Sequence, residues 1–450
     1  MSEILWLSFG LAVVCMLPFV LDRERSLLAA LYVTTVGFFV QYPLHSLYAY
    51  FFGSYMIDPS DVSLRTQHAW ILALVYSILA FLAMYLCYRS KLGVALARSL
   101  PPLGKAWNLP GSSRAALVCA AIGIGSHALL VWHFGGLAWY LQHPYETRTA
   151  WGVETFKIFT PFLMYACLIA YVNVLYLRRL RLLMVLLFGL TVAVAVSTNA
   201  RGFVLALLLA MIVIRYYVRK YHMVKSPRIA VRLALLVALA LVLIPTFGAY
   251  RSTADLGETM KALGTFTISG MLQKPLRRMY GMDAFTIIVR DVPAVLDFRY
   301  GGTIWPIAFA WIPRAIWSEK PVISPGRQLA DTLFAEWFGG GELFVGVSLL
   351  GDAYLNFHVA GVVVLAGTIG VVIRMLWAYC RPNRSIPGTF LYATVVSTLA
   401  LMWEASFIGL IFSSVPNLLF AAYIAHYLAR APARPRAEVA GAASGQALVS

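Results

Sequence analysis

Charge is what this chain has least of, and negative charge least of all. Asp, Glu, Lys and Arg make up 12% of its 450 residues while hydrophobic types make up 61%, a mixture that excludes an ordinary soluble domain. Only 19 acids face 36 Lys and Arg, leaving a formal charge of +17. These cations lie mainly in short links between apolar runs, so membrane topology accounts for most of them and no nucleic-acid partner is implied. Cysteine is also sparse. Cys15, Cys87, Cys119, Cys167 and Cys380 form no CxxC and no Cys/His cluster, which indicates neither a disulfide framework nor a structural zinc site. A DxD-like cluster, an HExxH and a phosphate-binding glycine loop are missing as well, which disfavours nucleotide-sugar and ATP-driven chemistry. No metal and no cofactor is expected. The lack of an evident internal repeat counts against a duplicated transporter fold.

What the chain does have is long apolar sequence, with a mean hydropathy of +0.77. Its uncharged runs are long enough to cross a hydrocarbon core of about 30 Å. Continuous runs of this kind mean helices, because a barrel shows short alternating segments. Eleven spans are expected, at 3–20, 26–49, 68–88, 114–136, 154–176, 181–197, 202–217, 229–249, 355–375, 387–404 and 406–428. The first begins with an acid and lacks a small-residue cleavage site, so it reads as a retained span. Basic links at 22–25, 89–114, 177–181, 215–228 and 374–384 alternate with less basic ones. By the positive-inside tendency the N-terminus is then outside and the C-terminus inside, which agrees with an odd number of crossings. The expected organisation is eight spans over 1–249, a large outer loop over 250–354, three spans over 355–428 and a disordered cytoplasmic tail over 429–450.

The outer loop is mixed in character. Residues 271–293 and 327–338 read as amphipathic helices, with turns at the glycines of 301–302 and 339–341. Residues 302–313 are apolar but short and punctuated by proline, which suits a re-entrant or interfacial segment. Beyond them, WIPRAIWSEKP at 311–321 sets Arg314 and Lys320 between two prolines and beside two tryptophans. Pro313 and Pro321 restrict the backbone around both cations, and Trp311 and Trp317 offer flat faces suited to the headgroup belt or to sugar rings.

Positive residues are normally depleted on an outer face, yet Arg148, Arg201, Arg278, Arg290, Arg299, Arg314 and Lys320 all fall there. A phosphate-bearing ligand would explain them, because the arginine fork pairs with two phosphate oxygens at once. Pairing with outer acids such as Asp283, Asp291 and Asp297, or contact with headgroups, is the alternative for any one of them. Arg201, in STNARG, stands where one apolar run gives way to the next, near a helix start whose free N–H groups also suit phosphate. Among the acids, Asp352 in GDAYLNF, Glu336 before a glycine run and Glu404 in LMWEASF are candidates to take a proton from a hydroxyl. Asp352 serves equally well as a helix brace.

The order of these features resembles the oligosaccharide repeat-unit polymerase family, of the O-antigen or enterobacterial common antigen polymerase type. The likeness rests on many spans, a basic outer turn, STNARG, an outer loop ending in PRAIWSEKP and then GDAYLNFHVAGVVVLAGTIG, and it covers about 140–375. The family often has Phe-Gly where this chain has Phe357-His358. The resemblance implies a GT-C-like helical fold in the bacterial inner membrane. It implies undecaprenyl-pyrophosphate-linked oligosaccharides as substrates, with the growing chain passed to a hydroxyl of a new lipid-linked unit. By motif or position, Arg148, Arg201, Arg278, Arg314 and Lys320 would then hold the pyrophosphate, with Tyr354 and Asn356 touching substrate and Asp352 or Glu336 as the base. Membrane lipids, a flippase and a chain-length regulator are the implied partners. An O-antigen ligase-type glycan transferase and a glycolipid transporter or flippase are the rival readings.

Overall fold

The computed structural model describes residues 1–22, 26, 28–54, 56–57, 62–143, 159–177, 181–197, 201–221, 279, 281–309, 312, 316–317, 319, 325–330, 332–338 and 346–429. Among these, the regular elements are all helical. In chain order they begin with α1 (Ser2–Leu21), then α2 (Ala30–Phe39), a π-helical stretch (Val40–Leu44), α3 (His45–Phe52), α4 (Leu64–Arg89), α5 (Leu92–Ser99), α6 (Leu109–His133) and α7 (Leu137–Gln142). There follow α8 (Pro161–Leu177), α9 (Arg181–Ser197), α10 (Arg201–Tyr221), α11 (Gly281–Asp291) and a 3-10 turn at Trp305–Phe309. The short helices α12 (Pro325–Ala330) and α13 (Ala335–Phe338) precede α14 (Leu349–Cys380), α15 (Ile386–Leu401), a 3-10 turn at Met402–Glu404 and α16 (Phe407–Leu428).

Seven helices are long and apolar enough to cross a membrane: α1, α4, α6, residues 202–221 of α10, α14, residues 386–404 and α16. The chain is therefore an all-α, multi-pass membrane protein. Three further expected spans are helical too. The second is one α–π–α run over 30–52, because Pro43 lies inside it and loosens the helical ladder. The fifth and sixth appear as α8 and α9, apolar helices of 17 residues each, at the lower end of a crossing length, with 154–158 of the fifth outside the described residues. The eighth, at 229–249, and the tail from 430 lie outside the described residues.

Local chemistry sets the helix starts. Ser63, Asn108, Ser385 and Ser406 each accept a backbone N–H from the first turn of the helix that follows, satisfying one of its orphan donors. One continuous hydrophobic core then joins α1, α2, α4, α8, α10, α11, α14, α15 and α16. The pair α4 and α14 packs at its centre, and Gly370 makes this possible. A Cβ there would collide with the carbonyl of Met84, so only glycine lets the two backbones approach so closely. On the outside, α1 exposes Trp6, Phe9, Val13 and Val20, an apolar face suited to lipid.

The helix expected within 271–293 is present as α11, but it is not a surface helix. Gly281–Val289 are all buried, packed against α4 and α14. Its acids are engaged from within the bundle in part: Oδ1 of Asp283 meets Nε2 of His45 at 2.9 Å, both side chains being buried, while Oδ2 of Asp283 and the Thr286 hydroxyl are buried without a hydrogen-bond partner among the described residues. Asp291 is held through both oxygens by its neighbour Arg290, at 2.9 and 2.7 Å. The single amphipathic helix expected over 327–338 is instead two short ones, α12 and α13, split by a turn at 332–334.

Candidate functional site

The best-built polar site lies on the first two turns of α14. Asp352 and Asn356 are four residues apart and so project from one face of the helix. Both are 0% exposed. Oδ1 of Asp352 accepts the Thr303 hydroxyl at 2.7 Å and Nδ2 of Asn356 at 3.0 Å, while Oδ2 accepts the backbone N–H of Phe407 at 2.8 Å. Nδ2 of Asn356 also donates to Oγ1 of Thr303 at 2.6 Å and to the carbonyl of Asp352 at 2.8 Å. Its Oδ1 accepts the N–H groups of Gly301 and Thr303 at 3.0 and 3.4 Å. The amide orientation follows from these partners, oxygen toward donors and nitrogen toward acceptors. Asp352, Asn356 and Thr303 thus form a closed clamp that ties the 299–303 loop and the start of α16 to α14.

The helix breaks immediately after the clamp. Phe357 has φ −141° and ψ 27°, and His358 has φ 56° and ψ −156°, a region that costs a non-glycine residue about 1–3 kcal/mol. The break takes away the N–H that would have reached the carbonyl of Leu355. The N–H of Arg299 supplies the missing donor at 2.9 Å, so the loop heals the helix it is clamped to. Tyr300, the next residue, is itself held at φ 44°.

Aromatic side chains fill the surroundings. Tyr354 is buried, stacked on Tyr76 with centroids 5.7 Å apart, and met edge-on by Phe298 at 5.7 Å. Phe298 also meets His358 at 5.3 Å and Tyr300 at 6.2 Å. Further along the clamped loop, Trp305 meets Phe309 at 5.2 Å and Phe309 meets Trp317 at 5.5 Å. The 3-10 turn at 305–309 therefore links Trp317 of WIPRAIWSEKP to the loop clamped on the GDAYLNF helix. Residues 302–313, expected as re-entrant or interfacial, contribute that turn.

Of the residues singled out in the sequence, Asp352 and Asn356 are brought together in the clamp and Tyr354 lies behind it. Arg201 is the first residue of α10, at the helix start its position indicated. Glu336 belongs to α13. The side chains of Arg201 and Glu336 lie outside what is described, as do Arg148, Arg278, Arg314 and Lys320 entirely. Arg290 is engaged by Asp291 and lies over the Trp337 ring at 5.9 Å, which is the structural alternative for an outer cation. Glu404 is half-buried in the 3-10 turn between α15 and α16.

Thr303 and the His45–Asp283 pair were not legible as partners. Thr303 follows the glycine turn at 301–302, a usable signal for a loop, but nothing in local spacing matched it to residues about fifty positions on. Among the described residues no group of three or more His, Cys, Asp or Glu could hold a metal ion. Compared with known proteins, the chain matches no family model, no curated protein and no solved structure.

Proposed function

We propose that the chain is a glycosyltransferase that polymerises undecaprenyl-pyrophosphate-linked oligosaccharide repeat units at the periplasmic face of a bacterial inner membrane. The observation that carries the reading is the meeting of its two signature stretches. PRAIWSEKP and GDAYLNF are separated in sequence, yet Trp317 of the first packs on Phe309, in the 3-10 turn that directly follows the loop clamped by Asp352 and Asn356 of the second. A GT-C-like fold with eleven crossings, a periplasmic N-terminus and a cytoplasmic C-terminus belongs to the same proposal.

In this reaction the acceptor hydroxyl oxygen bonds to the anomeric carbon of the growing glycan, whose bond to the lipid pyrophosphate breaks. Pyrophosphate leaves with its negative charge, which Arg148, Arg201, Arg278, Arg314 and Lys320 would stabilise. The acceptor proton passes to a carboxylate, Glu336 or Asp352. In the closed clamp Oδ1 of Asp352 is occupied by Thr303 and Asn356, so its use as a base requires the clamp to open first. One direct displacement inverts the anomeric centre, and a measured retention of configuration would exclude it.

The test is purified protein in nanodiscs with a short lipid-pyrophosphate-linked repeat unit and EDTA, read as a glycan ladder. The expected result is a ladder from the wild type and none from Arg314→Ala. No ladder from folded protein with its cognate unit refutes the reading, and chain transfer that occurs only when lipid A core is added identifies a ligase. Glu336→Gln and Asp352→Asn run side by side assign the base.

A further inference from the structure

The rings around the α14 break face outward. Tyr300 is 77% exposed, Trp305 54% and Phe357 48%, with the exposed His358 between them and the exposed side chains of Asp297 and Arg299 alongside. Two of these, Tyr300 and His358, sit at positive φ. Positive φ is uncommon for any residue but glycine, least so for Asn, Asp and His, and here Tyr300 and His358 both adopt it beside a single clamp. The clamp is what fixes them: Asn356 holds the N–H of Gly301, and Leu355 holds that of Arg299, on either side of Tyr300. The Phe357 ring tip would lie 3.5 Å from a Cβ at Gly301, so ring and loop are in register.

We infer that this surface is a platform for the sugar rings of a glycan. A pyranose presents an apolar C–H face and a rim of hydroxyls, and it is met by flat rings beside an acid, a guanidinium and an imidazole. Simple anchoring in the lipid interface fits less well. It asks only for aromatic area in any conformation, and the carboxylate of Asp297 is unfavourable beside anionic headgroups. In the polymerase reading, on which the identity of the glycan rests, the platform positions an oligosaccharide over the clamped loop.

The test uses the full chain in nanodiscs and, as probe, the free oligosaccharide released by mild acid from the organism's own lipid-linked repeat unit. Tyr300→Gly removes the ring and suits the backbone at φ 44°, so it unfolds no earlier than wild type. Its oligosaccharide binding is expected to be roughly tenfold weaker, while Tyr300→Phe binds as wild type. Wild-type affinity in Tyr300→Gly overturns the platform, as does brominated-lipid quenching of tryptophan fluorescence that falls on Trp305→Phe, which would place the rings in the bilayer. The two readings fail separately. A ladder from the wild type with an unchanged KM in Tyr300→Gly rejects the platform alone. Ring-dependent binding without any ladder rejects the polymerase alone.

Discussion

Replacing Asp352 by alanine separates structure from chemistry at the clamp. The carboxylate accepts three donors, the buried Thr303 and Asn356 side chains and the part-buried N–H of Phe407. After truncation Nδ2 of Asn356 keeps Oγ1 of Thr303 and the carbonyl of residue 352, so it is not orphaned. The Thr303 hydroxyl hydrogen and the Phe407 N–H lose their acceptors. Two orphaned donors at about 1–3 kcal/mol each give a loss of about 2–6 kcal/mol. Asp352→Asn keeps the shape but offers one oxygen and one NH2 group, so one side of the clamp meets donor against donor, and a loss of about 1–3 kcal/mol follows. Reversible unfolding in mixed micelles, followed by tryptophan fluorescence, should rank the variants wild type, Asn, then Ala. An alanine variant that unfolds with the wild type while losing all turnover would refute the bracing role and return Asp352 to the chemistry.

Three further outcomes are expected. His358→Gly relieves a residue at φ 56° and raises stability by about 1 kcal/mol, read as a later unfolding midpoint with an unchanged helix content. Asp283→Leu removes the buried hydrogen bond to Nε2 of His45 and costs about 1–3 kcal/mol; in the cycle of His45→Leu, Asp283→Leu and the double variant, the two losses should add to more than the double shows, and full additivity would deny the pair. Gly370→Leu drives a side chain into the α4 backbone at Met84, so the variant should be recovered poorly from detergent and elute as aggregate; a monodisperse, wild-type-stable protein would show that α4 and α14 do not pack as described.

Much of the membrane architecture was legible in the sequence because lipid imposes a simple demand, twenty or so apolar residues in a row. The glycine turn at 301–302 and the helix start at Arg201 were legible for the same reason: both are local. The position of α11 was not. Its two acids and Arg290 read as a wet face, whereas one oxygen of Asp283 meets the buried His45 and Asp291 is held by its neighbour Arg290, an arrangement that depends on a residue more than two hundred positions away. The helix break at 357–358 also escaped, since no proline or glycine marks it. It follows directly after the clamped Asn356, and the backbone of a distant loop bonds the helix there.

The two oxygens of Asp352 answer to segments made at very different times. Thr303 is already synthesised when Asp352 emerges, but the N–H that fills Oδ2 belongs to Phe407. The clamp therefore cannot be complete before Phe407 has been made, so whatever order the helices adopt, α14 alone never supplies a finished site.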